Sequence, residues 1–276
     1  MERLQAAIEK ARAQRDGGRD GQDTAAPRQD PRPQAPAAVQ DAWEALTEIQ
    51  LKPRALHRNR VVTFKGGPDS APFDLLRTRM LQQARQNKWR RIAFVSPHSG
   101  CGKTTSVANL AFSLARQHDV RTLILDFDLR RRGLTTLFRQ APTHSMGEIL
   151  EGRVPFSDHG RRYGKNVAFG FNLTTNKIAS EILQSPKTGE ILDELQALYQ
   201  PDLMLFDMPP LMASDDNFGF LQNVDAALLL AAAEKTTMSQ IDIAERQVAD
   251  LTNVMGIVLN RCRYMDGAYG HEYDYY

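Results

Sequence analysis

The segment RIAFVSPHSGCGKTTSVANLAFSLARQ, residues 91–117, constrains the fold more than any other part of the chain. An apolar run, a turn holding Gly100 and Gly102, and a helical pattern opening on Lys103, Thr104 and Thr105 follow one another without a gap. A strand that feeds a helix through such a turn aims backbone N–H groups and the positive helix end at one point, which suits a chain of phosphates. The candidate phosphate-binding residues are therefore Ser99, Gly100, Cys101, Gly102, Lys103, Thr104 and Thr105. The glycines let the backbone come close, Lys103 supplies a point charge to β- and γ-phosphate oxygens, and the Thr104 hydroxyl suits Mg²⁺. Pro97 stands where the usual P-loop has its first glycine, and His98 beside it reads as a solvated turn side chain rather than a catalyst.

Further apolar runs recur, VRTLILDFD, DLMLFDMPP, VDAALLLAAA and NVMGIVLN, separated by amphipathic helical patterns. Runs that are apolar on both faces predict a mostly parallel sheet covered on both sides, a doubly wound α/β domain. Asp126 and Asp128 lie where one run ends, two residues apart and hence on one side of the strand. Asp207 ends another run, which Pro209 and Pro210 stop. Strand-end aspartates commonly cap turns. With a P-loop in the same chain, the stronger reading is that these three carboxylates converge on one metal ion, Thr104, Asp126 and Asp207 being its ligands.

Composition narrows the partners. Among 276 residues, 42% hydrophobic and 25% charged, the net charge of +2 gives no broad positive field, so no nucleic acid is expected. Cys101 and Cys262 are too far apart for a zinc site or a disulfide framework, as befits a reducing cytoplasm. The longest apolar stretch, residues 226–233, is too short to span a bilayer, and Glu2, Glu9 and Lys10 do not fit a signal peptide. Residues 1–16 have helical composition and either dock or fray, residues 17–40 read as a disordered linker rich in Pro, Gly and charge, residues 41–263 form the P-loop domain, and residues 264–276 form a polar tail.

Three motifs, HSGCGKTT, LILDFDLRRRGL and DLMLFDMPPLMASDD, resemble those of the bacterial tyrosine kinase family, whose domains are similar to the Min- and Par-type P-loop ATPases. The opening MERLQAAIEKARAQR, LHRNRVV and LLRTRML resemble the exopolysaccharide-associated autokinases that occur as separate cytoplasmic chains. The resemblance implies an ATP- and Mg²⁺-dependent protein-tyrosine autokinase with Lys103, Asp126 and Asp128 catalytic and Asp126 the base for the tyrosine. It further implies a membrane polysaccharide chain-length (co-polymerase) protein as activator, location at the inner face of the membrane through that partner, and a homo-oligomer that phosphorylates in trans. His98 replaces the early P-loop lysine of the positioning ATPases, which favours the kinase branch. The family often carries a ring-building Glu-x-x-Arg-x-x-Arg helix, whereas Ala71, Asp74 and Arg77 stand here, so ring assembly of the usual type is not expected. Asn260 resembles the adenine-contacting asparagine of related ATPases, with an ordinary turn residue as the alternative, and Asp215 and Asp216 are second-rank candidates for sensing the γ-phosphate or capping a helix.

Tyr264, Tyr269, Tyr273, Tyr275 and Tyr276, five of the seven tyrosines, crowd into the last thirteen residues among Gly267, Gly270, Asp266, Glu272 and Asp274. They read as phosphoacceptors rather than as a docked aromatic segment. Arg130, Arg131 and Arg132 read either as an attractor for the acidic tail of a neighbouring molecule or as a solvated face. The competing function is a positioning or adaptor ATPase that turns over ATP and leaves its tyrosines unmodified.

Overall fold

The computed structural model describes residues 36–262. The expected helix at residues 1–16, most of the linker, and all five tail tyrosines lie outside the described residues. The domain begins before residue 41: helix α1 (Ala37–Ala45) occupies the last residues assigned to the linker, because Val39 and Trp43 bury themselves and the Trp43 indole N–H donates to the Tyr199 carbonyl at 2.7 Å. That linker boundary is therefore corrected to the start of α1.

An eight-stranded sheet follows, in the order β1-β4-β5-β3-β6-β2-β7-β8. The strands are β1 (Thr47–Glu48), β2 (Arg91–Val95), β3 (Thr122–Asp126), β4 (Arg161–Tyr163), β5 (Val167–Gly170), β6 (Leu203–Asp207), β7 (Ala226–Ala232) and β8 (Asn253–Asn260). Every pairing is parallel except β4 with β5. The helices are α2 (Pro53–Arg58), α3 (Ala71–Asn87), α4 (Lys103–Ala115), α5 (Gly133–Phe138), α6 (Met146–Leu150), α7 (Phe156–His159), α8 (Ala179–Gln184), α9 (Pro186–Tyr199), α10 (Asp216–Phe220) and α11 (Met238–Ala249).

Side-chain alternation divides the core between the two faces of the sheet. Ala93 and Val95 of β2, Leu123 and Leu125 of β3, and Met204 and Phe206 of β6 pack on one side. Ile92, Phe94, Ile124, Leu203 and Leu205 pack on the other, against Val107, Leu110 and Ala111 of α4. Counting on by two places Asp126 with Ile124 and Asp207 with Leu205, on the face that α4 covers. No helix among the described residues is long and apolar enough to cross a membrane.

Candidate functional site

The turn between β2 and α4 has the predicted form. Gly100 (φ +82°) and Gly102 (φ +92°) take left-handed conformations that a side chain would strain. A Cβ at Gly102 would also come within 2.3 Å of the Asn260 amide nitrogen, so the close approach of β8 demands glycine a second time. Lys103 is buried and donates to the Ser96 hydroxyl at 2.7 Å. Burial pushes its pKa down, against the pull of Asp207 and Asp128.

The carboxylates lie beneath this helix start. Asp126 and Asp207 are register partners on the paired strands β3 and β6. Asp126 is fully buried; one oxygen accepts the Leu134 backbone N–H at 3.2 Å. Desolvation, then the charges of Asp207 and Asp128, drive its pKa well above the carboxylate range. Burial likewise pushes Asp207 up to about 7, with the Thr104 hydroxyl and the Lys103 charge pulling the other way. Asp128, 8% exposed, is raised by desolvation and restrained by Arg131 and Lys103.

These residues fit a cation. Asp126 Oδ1, Asp128 Oδ1 and both Asp207 oxygens are buried without a hydrogen bond of regular geometry among the described residues. Unpaired buried carboxylates are costly, and a bound positive charge removes the cost. Among the described residues no three His, Cys, Asp or Glu side chains form one ready-made metal cluster. The Thr104 hydroxyl and Asp207, with Asp126 its register partner and water completing the shell, are the residues that would hold the ion.

Other candidates have different roles. His98 Nε2 lies 3.0 Å from the Thr236 hydroxyl, which also accepts the Ala232 N–H, so the imidazole ties the turn to the end of β7 instead of standing in solvent. The Asn260 amide donates to the Cys101 carbonyl at 2.8 Å and accepts the Arg261 N–H at 2.8 Å. Both ends of the amide are thus engaged with backbone, and Asn260 acts here as an anchor of the turn. Arg130 is not free to attract a tail: it grips the buried Asp216 carboxylate at 2.8 and 2.9 Å. Asp216 also accepts from Ser214, and Ser180 donates to Asp215 at 2.5 Å; neither aspartate caps α10. Arg131 reaches the Ser99 hydroxyl at 3.4 Å and Arg132 the Leu173 carbonyl at 3.2 Å. Asp74 bonds Ser113 and Arg116, so the altered ring-helix positions clamp α3 to α4.

Sequence reasoning missed three supports. Ser96 orients Lys103, and its signal was its place directly after the strand. The Asn172 amide donates to the Asp126 carbonyl at 3.1 Å and holds the loop that carries the acids, while Lys235 Nζ comes 3.3 Å from where a Gly100 Cβ would stand. Neither has a local sequence signal, since each is brought in by the sheet order.

The model of the CobQ/CobB/MinD/ParA nucleotide binding domain matches residues 92–270. The chain belongs to this family. Among relatives of this nucleotide binding domain, the tyrosine-protein kinase Etk of Escherichia coli (strain K12) is 28% identical over 180 residues, 63% of this chain and 24% of Etk. The tyrosine-protein kinase CpsD of Streptococcus pneumoniae serotype 4 is 26% identical over 193 residues, 68% of this chain and 83% of CpsD. The chain thus spans about a quarter of Etk's length. The solved kinase domain of Escherichia coli Etk aligns with a TM-score of 0.63 at 24% identity, covering 72% of this chain and 78% of that one. The septum site-determining protein MinD with Mg-ADP, from Pyrococcus horikoshii OT3, aligns at 0.53 and 21% identity, covering 64% and 72%. At these identities the structural likenesses establish the doubly wound P-loop fold, as expected from the sequence.

Proposed function

We propose that the chain is a protein-tyrosine autokinase that transfers the γ-phosphoryl of ATP to tyrosines of its own C-terminal segment in trans. The observation that carries the reading is the placement of the register partners Asp126 and Asp207, with unpaired oxygens, beneath the start of the helix that bears Lys103 and Thr104. The tyrosine-protein kinase names of the relatives and the tyrosine cluster at residues 264–276 support the acceptor.

In this reading, backbone amides of residues 99–105 and the Lys103 ammonium hold the phosphates, and Thr104 and Asp207 hold Mg²⁺. That ion would neutralise phosphoryl oxygens as charge moves to the leaving group. Lys103, held by Ser96 and low in water contact, acts at close range because its charge is poorly screened. Proton acceptance from the phenol belongs to the Asp126 and Asp128 pair, of which Asp126 is fully covered and Asp128 is 8% exposed. A phenol with a pKa of about 10 needs such an acceptor at neutral pH. A membrane co-polymerase protein as activator, and a place at the inner membrane face through it, complete the proposal.

The test is label transfer from γ-labelled ATP to the protein, with and without membrane extract, in wild type and Lys103→Ala. The proposal requires label on the wild type alone. ATP turnover without label would instead assign the chain to the positioning or adaptor ATPases.

A further inference from the structure

A cavity of about 600 Å³ lies away from the phosphate turn, where α4 ends and β5 begins. Its floor is aromatic: the half-buried Phe64 and Tyr163 pack edge-on against the buried Phe112, with ring centres 5.0 and 5.1 Å from it. Buried polar groups fix this floor. The Thr63 hydroxyl donates to the Asn109 carbonyl at 2.7 Å, and the Asn166 amide donates to the Gln117 and Val120 carbonyls at 2.8 and 3.0 Å. The rim is basic, formed by Lys65, Lys165, Arg116 and His118. Lys65 and Lys165 are exposed, and neither has a carboxylate partner among the described residues. Arg116 is held in place by Asp74 and by the Thr63 carbonyl at 2.9 Å. The one acid of the lining, Glu48, faces Arg162 at 3.9 Å. A fixed aromatic floor below unpaired ammonium groups suits a ligand that is an aryl ring ending in a phosphate.

We propose that this cavity binds, in cis, a phosphotyrosyl side chain of the chain's own C-terminal segment, carried by Tyr273, Tyr275 or Tyr276. The inference rests on the autokinase reading for the origin of the phosphate. Charge matches, because Asp266, Glu272 and Asp274 flank the tail tyrosines and each phosphate adds about −1.5 to −2. The route to the cavity is basic as well. Arg261 and Cys262, where the described residues end, line a neighbouring cavity of about 710 Å³ together with Arg58, Asn59 and Arg60. Such a volume is about 9 Å across, and Lys65 stands five residues beyond Arg60, so the way from Cys262 to the aromatic cavity is at most roughly 26 Å. Tyr264, two residues beyond Cys262, extends about 7 Å and falls short, whereas Tyr273, Tyr275 and Tyr276 extend roughly 37, 44 and 48 Å. The tether holds these phosphates at an effective concentration on the order of millimolar, so the domain that carries the tail captures it ahead of a neighbour's. A tail held on its own domain is withheld from the next molecule's active site, and docking thereby limits further transfer to the same tail.

The experiment joins residues 1–261 to synthetic peptides of residues 262–276 through Cys262, which regenerates the full chain with one phosphotyrosine at a known position. No kinase activity is needed, so the outcome is independent of the autokinase reading. With phosphate on at least one of Tyr273, Tyr275 and Tyr276, the ³¹P line should be at least threefold broader than in the free peptide. It should sharpen when excess phenyl phosphate is added and in Lys65→Ala/Lys165→Ala, and stay broad on tenfold dilution. A line at all three positions as sharp as in the double variant overturns the proposal. Broadening that disappears on dilution assigns the docked phosphate to another molecule and overturns docking in cis. Phosphate on Tyr264 should not respond to the lysine substitutions, and a response there overturns the route.

Discussion

Asp126 and Asp207 face each other across the β3 and β6 pairing, two buried carboxylates on neighbouring strands, with Asp126 Oδ1 and both Asp207 oxygens lacking a hydrogen bond of regular geometry among the described residues. Like charges at such a place raise each other's proton affinity, and the fold tolerates the arrangement because a cation relieves it.

Asp207→Asn is therefore expected to stabilise the ligand-free protein while abolishing its response to Mg²⁺. A carboxylate whose folded pKa is raised to about 7 from 3.8 favours the fold below pH 3.8, and that contribution is lost as pH rises through 7. The melting temperature of Asp207→Asn at pH 8 should exceed wild type by on the order of 5 °C, with phosphoryl transfer at least ~100-fold lower. A lower melting temperature would contradict the strained-carboxylate account.

Asn260→Ala separates an anchor from a base reader. Since the amide holds the Cys101 carbonyl, the variant should weaken ATP and GTP binding alike, by roughly 1 kcal/mol each. A selective loss of ATP affinity in a competition assay would restore the adenine contact.

His159 predicts an acid limit to stability. It is buried, its Nε2 accepts the Phe171 N–H at 2.9 Å, and burial lowers its pKa to about 4. Only the neutral ring fits, so stability is intact above pH 6.5 and falls as pH drops from 6.5 towards 4, by on the order of 3 kcal/mol. Urea midpoints across that range should show a dependence that His159→Gln flattens.

Arg130→Ala leaves the buried Asp216 carboxylate without its cation and should cost roughly 2 kcal/mol in urea unfolding. Arg131→Ala, which loses long contacts to the Ser99 hydroxyl and the attraction of Asp128 but no close ion pair, should cost less in the same experiment. Equal effects of the two would sink the distinction.

The sheet centre was legible because β2, β3, β6 and β7 are local apolar runs flanked by aspartate or proline, and β8 is an apolar run bounded by asparagines. The edge was not: β1 and β4 have two and three residues, with charged or half-buried side chains, and depend on β5 for their pairing. The phosphate turn is equally local, so Lys103, Thr104 and the glycines lie where the motif puts them. The engagement of Arg130 by Asp216, and of Asn260 by Cys101, could not be read, because each partner lies on an element tens of residues away in sequence.

The most direct test of the central claim is mass spectrometry of the peptides covering Tyr264 to Tyr276 after incubation with Mg²⁺ and ATP, in wild type and Lys103→Ala, with membrane extract present. The account predicts phosphate on these tyrosines in wild type and none in the variant. ATP consumed while every one of these tyrosines remains unmodified would contradict it.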